Sequence, residues 1–204
     1  MGKIRSTSTQ EKESKRDHII EVASKMIDKG LVDLPSMNDI SKKAKVAKGT
    51  LYNYFETKEE LFLEVFSGMF SQWLFDLQDR KLTRRNYLKI IVDSLSENQN
   101  LMRLACKAPM ILEKNVSDEV FVKFKTGLAF LINQLATYIS AINAKTVVEN
   151  EKLLLQSYYI MTGIFPSHDL MATKKKLLQD NGLGKLVVDF KKDTLQILNT
   201  IWND

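Results

Sequence analysis

Between residues 45 and 58 the chain concentrates side chains that can bind a polyanion. They are amines, hydroxyls, an amide and a glycine, namely Lys45, Lys48, Gly49, Thr50, Tyr52, Asn53, Tyr54 and Lys58. Amines and hydroxyls hold phosphate oxygens, an asparagine amide can read the edge of adenine, and a glycine permits close approach to the backbone. This chemistry favours a surface that binds double-stranded DNA.

Two helix starts flank this segment and would hold it in place. Ser36 is followed three residues later by Asp39, and Thr57 is followed by Glu60. A hydroxyl at the N-cap accepts a hydrogen bond from a free backbone N–H, and an acid three residues on completes or approaches a capping box. The pattern predicts one helix beginning at Ser36 and another, with a full capping box, at Thr57.

Between the first of these helices and Thr57 lies the segment Val46–Phe55, which is long enough for only about two helical turns. Val46, Leu51 and Phe55 have the spacing to be buried against the flanking helices, which leaves the polar side chains outside. The N-terminus of such a short helix also favours a phosphate through its free N–H groups. Together the elements indicate a helix-turn-helix.

Residues from about Arg16 to Val65 resemble the DNA-binding domain of the TetR (tetracycline-repressor) family of bacterial regulators. The resemblance rests on Asp39-Ile40, on the run from Gly49 to Phe55 and on Lys58. It implies an all-α fold: a three-helix head joined by a long helix to a C-terminal bundle that binds a ligand and forms a homodimer through its last two helices. We expect the head in residues 1–58 and the bundle in residues 59–204.

Two positions depart from the family pattern. Lys45 stands where the family usually has a glycine in the turn, and Ala47 stands where it usually has serine. A lysine at positive φ costs on the order of 1 kcal/mol, so Lys45 either tolerates that strain or shifts the turn. Ala47 removes a side-chain N-cap, typically worth about 1 kcal/mol.

Composition agrees with a helical DNA-binding protein. The 204 residues are 44% hydrophobic and include only three prolines and eight glycines. Residues 1–58 hold 12 of the 30 basic and eight of the 25 acidic residues, so this segment carries +4 of the net charge of +5. No segment is apolar enough to span a membrane, and a single cysteine fits a reducing compartment. We expect a cytoplasmic protein without a membrane partner.

Apolar periodicity predicts the remaining helices. The first runs from about residue 11 to 29 and stops at Gly30, after an arm in which Lys3 and Arg5 look disordered. A long helix continues from Thr57 for about five turns. Further helices are predicted at 84–97, 100–114, 117–142, 147–165 and 183–202, and the last has a stripe that suits either core packing or a dimer interface.

Methionine and aromatic side chains in the middle of the chain suggest an effector cavity. Such side chains form adaptable apolar pockets, and a tyrosine or histidine can fix one polar group of a ligand. The candidates are Trp73, Met102, Cys106, Phe124, Tyr158, Tyr159 and His168. Plain core packing is the alternative for each. A small, mostly apolar effector is the expected partner, and the resemblance implies that it shifts the connecting helix.

The sequence provides no catalytic site, metal site or cofactor motif. The two histidines, His18 and His168, lie far apart, and no Cys/His cluster, phosphate loop or nucleophile elbow occurs. A heme or metal held by one histidine, Cys106 or methionines stays open. We predict a repressor released from a palindromic operator. One rival is a TetR-like nucleoid-occlusion protein without an effector; the other is a protein-binding module that has lost DNA recognition.

Overall fold

The computed structural model describes residues 3–27, 33–169 and 172–203. All regular elements in these ranges are helical, so the predicted all-α class is confirmed. The helices of the N-terminal head and its extension are α1 (Lys3–Lys25), α2 (Met37–Ala44), α3 (Lys48–Tyr52) and α4 (Lys58–Gln78). Those of the bundle are α5 (Tyr87–Glu97), α6 (Gln99–Lys107), α7 (Asp118–Ser140), α8 (Val147–His168), α9 (Ala172–Asp180) and α10 (Phe190–Asn203).

The predicted helix starts at Ser36 and Thr57 are confirmed. The Ser36 hydroxyl accepts from the Asp39 N–H at 3.2 Å, and the Thr57 hydroxyl accepts from the Glu60 N–H at 3.1 Å. The full capping box predicted at Thr57 is wrong in one detail. The Glu60 carboxylate accepts from the N–H of Glu56, at 2.7 Å, which is one residue before the N-cap. The carboxylate therefore fastens the end of the preceding turn to α4.

Helix α4 belongs to both parts of the molecule. At its start Leu61 and Phe62 are fully buried against the head, where α4 packs on α1. Towards its end Trp73 and Leu77 are buried in the bundle, where α4 packs on α6 and α7. The long connecting helix predicted from Thr57 is thus confirmed, and it runs without interruption from the head into the bundle.

Several predicted boundaries were wrong. Helix α1 begins at Lys3, where a disordered arm was predicted, and ends at Lys25 instead of residue 29. Gly30, the predicted stop, lies outside the described residues. The helix predicted at 100–114 ends at Lys107 and continues as a π-helical turn (Ala108–Leu112) and a 3₁₀ turn (Glu113–Asn115). Pro109 explains the change, because it has no N–H for α-helical bonding.

The C-terminal region also differs from the prediction. Helix α9 was missed, because its lysine-rich sequence has no apolar face. The last helix was predicted from residue 183 but begins at Phe190, after a 3₁₀ turn (Gly184–Leu186). Phe190, Thr194 and Leu198 of the predicted stripe are buried where α10 packs on α5 and α8. Leu183, Leu186 and Ile197 of the same stripe are exposed. Within the described ranges no helix combines the length and hydrophobicity of a membrane span.

Candidate DNA interface and effector cavity

The turn between α2 and α3 contains the strained residue that the sequence anticipates. Lys45 has φ 56° and ψ 38°, the left-handed conformation. Its N–H donates to the Lys42 carbonyl at 3.2 Å, and the Val46 N–H donates to the Ser41 carbonyl at 3.0 Å. These two bonds form a Schellman motif, in which glycine is the usual left-handed residue. Lys45 therefore tolerates the strain, and the turn keeps its geometry.

Helix α3 presents polar side chains outward because its apolar ones are buried. Leu51 and Phe55 are fully buried and anchor the helix to the head. Ala47 caps α3 without a side-chain hydrogen bond, as its type predicts. Tyr52 is 45% exposed, and the Lys48 ammonium lies 5.8 Å from its ring centroid, which holds both side chains on one surface.

The other residues predicted to contact DNA divide by burial. Gly49 and Asn53 are exposed, whereas Thr50, Tyr54 and Lys58 are half-buried. Tyr54 packs against the core of the head. No atom lies within 4 Å of a Cβ built on Gly49, so this surface is open to a ligand. Tyr54 is thus the predicted residue most committed to packing.

Four lysines lie in the last turn of α2, in the turn that follows it and at the start of α3. Lys42, Lys43, Lys45 and Lys48 are all exposed, and none of them forms an ion pair with a described residue. The Lys58 ammonium is 4.0 Å from the Glu59 carboxylate. Unpaired lysines next to a helix N-terminus create a local positive potential that suits phosphates. Lys42 and Lys43 were not among the residues predicted to contact DNA, although their position in the last turn of α2, next to the start of α3, indicates such a contact.

One ionic network ties the head to the bundle. The Glu64 carboxylate on α4 lies 2.8 Å from the Arg16 guanidinium on α1 and 3.0 Å from the Lys123 ammonium on α7. Burial alone would raise the pKa of Glu64, but the hydrogen bonds and charges of Lys123 and Arg16 outweigh it and hold the pKa below its usual value. Arg16 also lies over the ring of Phe55, at 5.1 Å.

A second link runs through α6. The Asn100 side chain donates to the Ile27 carbonyl of the head at 3.0 Å and accepts from Arg103 at 2.8 Å. Arg103, only 7% exposed, donates two hydrogen bonds, of 2.7 and 2.8 Å, to the carboxylate of Asp169, the residue that follows α8. Bidentate charge-assisted pairs of this kind fix geometry strongly. Helix α6 is therefore fastened at one side to both the head and α8.

The opposite side of α6 borders an apolar cavity of about 520 Å³ inside the bundle. Helices α4, α5, α7, α8 and α10 and the two turns after α6 supply the rest of its wall. Four of the predicted effector residues line it, namely Trp73, Met102, Tyr158 and Tyr159. Its size is in the range of small-molecule sites, which are mostly apolar with a few polar groups.

Three predicted effector residues lie off the cavity wall. The Cys106 thiol contacts the Thr162 carbonyl at 3.5 Å, and burial, with the Asp169 charge, raises its pKa to about 11. The Phe124 ring packs on Phe66 at 5.8 Å. The His168 ring accepts from the Phe190 N–H at 3.2 Å, at the start of α10. These roles are structural, and the protonated thiol is a poor nucleophile.

Hydrogen bonds hold the polar atoms of the cavity wall. Indole N–H groups donate at 2.9 Å, from Trp73 to Ser94 and from Trp202 to Ser157. The Tyr158 hydroxyl donates to the Ala105 carbonyl at 2.9 Å. An α-helix would pair this carbonyl with the N–H of residue 109, which is proline. Burial and the nearby Glu113 charge raise the pKa of Tyr158, so it remains a donor.

Trp202 was missed as a cavity residue, since the pattern of its helix suited either core packing or a dimer interface. In the part of the chain that the structure describes, no three histidine, cysteine or acidic side chains come together as a metal site. Lys125, a cation in the cavity wall, was also missed. It lies 2.7 Å from the Glu113 carboxylate, and both side chains line the cavity.

Two family models match the sequence. Residues 19–65 match "Bacterial regulatory proteins, tetR family", and residues 63–203 match "Tetracyclin repressor-like, C-terminal domain". No curated protein matches the sequence significantly. Among solved structures, similar chains include the transcriptional regulator FadR from Bacillus subtilis in complex with stearoyl-CoA, with 16% identity, 89% of this chain and 96% of that chain covered and a TM-score of 0.49. E. coli NemR in its reduced form has 14% identity, coverages of 92% and 97% and a TM-score of 0.46.

Proposed function

Because the chain belongs to the TetR family of bacterial regulatory proteins, we propose that it is a repressor released from a palindromic operator by a small, mostly apolar effector. It is a DNA-binding transcriptional regulator. The observation that carries the proposal is the exposed basic surface around α3, whose lysines have no acidic partner among the described residues. We assign residues 1–58 to DNA binding and residues 59–204 to effector binding and dimerisation, and we place the protein in the cytoplasm.

The surface around α3 suggests a division of roles. Lys48, Gly49 and Asn53, at the exposed side of α3, approach base edges, because an amine or amide can bond to them and Gly49 leaves room. Residues at the margins hold the phosphates that set the orientation of the helix. The phosphate-binding set is Lys45, Thr50, Tyr52, Tyr54 and Lys58.

A homodimer gives this short helix useful specificity. One helix of five residues reaches few base edges, whereas two heads about 34–36 Å apart read two half-sites one DNA turn apart. Helix α8 supports the proposal with an apolar stripe that its own chain leaves partly uncovered. Val148, Leu155 and Tyr159, at i, i+7 and i+11, lie on one helix face and are exposed, and Leu155 and Tyr159 also line the cavity. On α10 only Ile197 of the predicted stripe is an exposed large apolar side chain.

Two helices connect the cavity to the head. Helix α4 contributes Phe66, Phe70 and Trp73 to the cavity wall, and it begins shortly after α3 ends. Helix α6 contributes Met102 to the wall and contacts the head through Asn100. An effector that displaces either helix changes the position of the heads, and such coupling is typically about 1–3 kcal/mol.

The cavity also bears on the rival functions. A nucleoid-occlusion protein needs no small molecule, whereas an apolar space of about 520 Å³ in the bundle offers a site for one. A protein-binding module that has lost DNA recognition does not need unpaired lysines around α3. Regulators of this family are generally non-enzymatic, and we propose no catalytic activity or cofactor.

Selection of random duplex DNA on the purified protein, at two salt concentrations, tests the proposal. We expect enrichment of a palindrome with half-sites about one turn apart, and affinity that falls steeply with salt. Absence of any enriched sequence would refute a sequence-specific regulator. Enrichment that no apolar compound reverses would favour the effector-free rival.

A further inference from the structure

An ion pair lies in the wall of the apolar cavity, so an ammonium group is already present there. The Lys125 ammonium lies 2.7 Å from the Glu113 carboxylate, and both side chains line the cavity. The same ammonium lies 5.5 Å from the ring centroid of Phe121 and 5.7 Å from that of Phe124, two rings that do not line the cavity themselves. A cation within about 6 Å of a ring is attracted by the ring face. The Glu113 carboxylate in the cavity wall is therefore a cation site that a side chain of the protein itself fills, and the two rings stabilise that side chain.

The two partners differ in how readily they can leave. The Glu113 side chain is 11% exposed, whereas that of Lys125 is 42% exposed. A lysine can carry its ammonium into water on its flexible stem, and a half-exposed ion pair is weak. A buried carboxylate without a partner is costly. An incoming cation can therefore replace the Lys125 ammonium, whereas an incoming anion meets a carboxylate that stays in the wall.

The rest of the wall favours the same sign of charge. Glu151 also lines the cavity, where it accepts from the Asn133 amide at 2.7 Å. Besides Glu113 and Glu151, the only charged side chain of the wall as described is Lys125. Six aromatic side chains also line the cavity, including those of Trp73 and Tyr158. Carboxylates and ring faces both attract cations, so the cavity is better suited to a positive than to a negative ligand.

We propose that the effector is an apolar organic cation, an amine or quaternary ammonium with aromatic or aliphatic substituents. Its charged group replaces the Lys125 ammonium beside Glu113, and its apolar part fills the cavity of about 520 Å³. This inference rests on the proposed effector function of the cavity and adds the chemical class of the ligand. Lys125 then acts as a tethered substitute that keeps Glu113 paired while the cavity is empty.

Three probes of similar shape and different charge test the ligand class. They are tetraphenylphosphonium, tetraphenylborate and the neutral triphenylmethanol. Trp73 and Trp202 both line the cavity, so quenching of tryptophan fluorescence reports binding directly. We expect tetraphenylphosphonium to bind at least tenfold more tightly than tetraphenylborate and to lower the affinity for the selected operator.

Two variants locate the charge that is responsible. Glu113→Gln should weaken tetraphenylphosphonium binding at least tenfold and leave triphenylmethanol binding within about twofold, because only the charge is removed. Lys125→Gln should strengthen tetraphenylphosphonium binding several-fold, because it removes the competing ammonium. Glu119→Gln is the matched control, since Glu119 is exposed and does not line the cavity.

The outcomes separate this proposal from the function on which it rests. If tetraphenylborate or triphenylmethanol binds as tightly as the cation and releases the operator, the ligand class is wrong and the effector function stands. If none of the three probes quenches the tryptophans or changes operator affinity, both the ligand class and the effector cavity lose their support. Should Glu113→Gln fail to fold, the comparison of the three probes on the unmodified chain decides.

Discussion

Replacing Lys45 by glycine should stabilise the protein, which is an unusual expectation for a surface substitution. Lys45 is the only non-glycine residue with positive φ among the described residues, at φ 56°. The left-handed conformation costs a residue with a Cβ roughly 1–2 kcal/mol. Glycine removes this cost, but its greater conformational freedom in the unfolded chain lowers the free energy of unfolding by about 0.5–1 kcal/mol. The net gain is therefore about 0.5–1 kcal/mol.

Urea unfolding of Lys45→Gly and Lys45→Gln measures this gain. Lys45→Gln removes the charge and keeps the strained conformation, so its midpoint should match that of the unmodified protein. Lys45→Gly should raise the midpoint, and a chain of this size should melt about 1–4 °C higher. The two bonds of the turn, from Lys45 to Lys42 and from Val46 to Ser41, involve only backbone atoms and remain in both variants.

The same pair of variants tests the role of Lys45 at DNA. If its ammonium binds a phosphate, both substitutions should lower the salt dependence of operator affinity equally, by about 0.9 per head on a logarithmic scale. A midpoint for Lys45→Gly no higher than that for Lys45→Gln would refute the strain argument. An unchanged salt dependence in both variants would refute the phosphate contact.

Three further predictions concern the head link, the cavity and the dimer. Asn100→Asp removes the bond to the Ile27 carbonyl but keeps the oxygen that accepts from the neighbouring arginine. The effector should then lower operator affinity about fivefold less than in the unmodified protein, which corresponds to about 1 kcal/mol. An unchanged effector response in titrations with and without ligand would contradict this. Tyr158→Phe leaves a buried carbonyl unpaired and should cost about 1–2 kcal/mol in urea unfolding, whereas Tyr159→Phe should not; equal losses would exclude the hydroxyl as the cause. Val148→Glu places a charge at a position whose side chain is 73% exposed, so the subunit should still fold, and light scattering should show a shift from dimer to monomer. A dimer of unchanged strength would place the interface elsewhere.

Much of the head was predictable because its signals are local. The caps at Ser36 and Thr57 bond to residues three positions along the chain, and a turn of fixed length places Lys45 at positive φ. Burial of Leu51 and Phe55 follows from helical spacing. The Glu60 carboxylate departs from the local pattern, since it bonds one residue further back than a capping box requires. The ends of α1, at Lys3 and Lys25, were also not predicted.

The sequence predicted the types of residue that line the cavity, but not which individual residues line it. Met102 and Cys106 are both moderately soft apolar residues on α6, four positions apart, yet only Met102 reaches the cavity. His168 caps α10, which lies beyond a loop whose path the sequence does not show. The bond between Arg103 and Asp169 joins residues 66 positions apart. Contacts at that separation depend on how helices are arranged, and one sequence contains no signal of it.

In the function proposed above, helix α6 is where effector binding and DNA binding meet. Met102 and Ala105 on one side line the cavity, and Asn100 on the other side holds the head. The end of the helix depends on the cavity as well, because Pro109 cannot donate to the Ala105 carbonyl and the Tyr158 hydroxyl donates instead. A ligand that moves Tyr158 therefore loosens the end of α6 directly. Since a helix transmits displacement along its length, this change reaches the contact with the head without passing through α4.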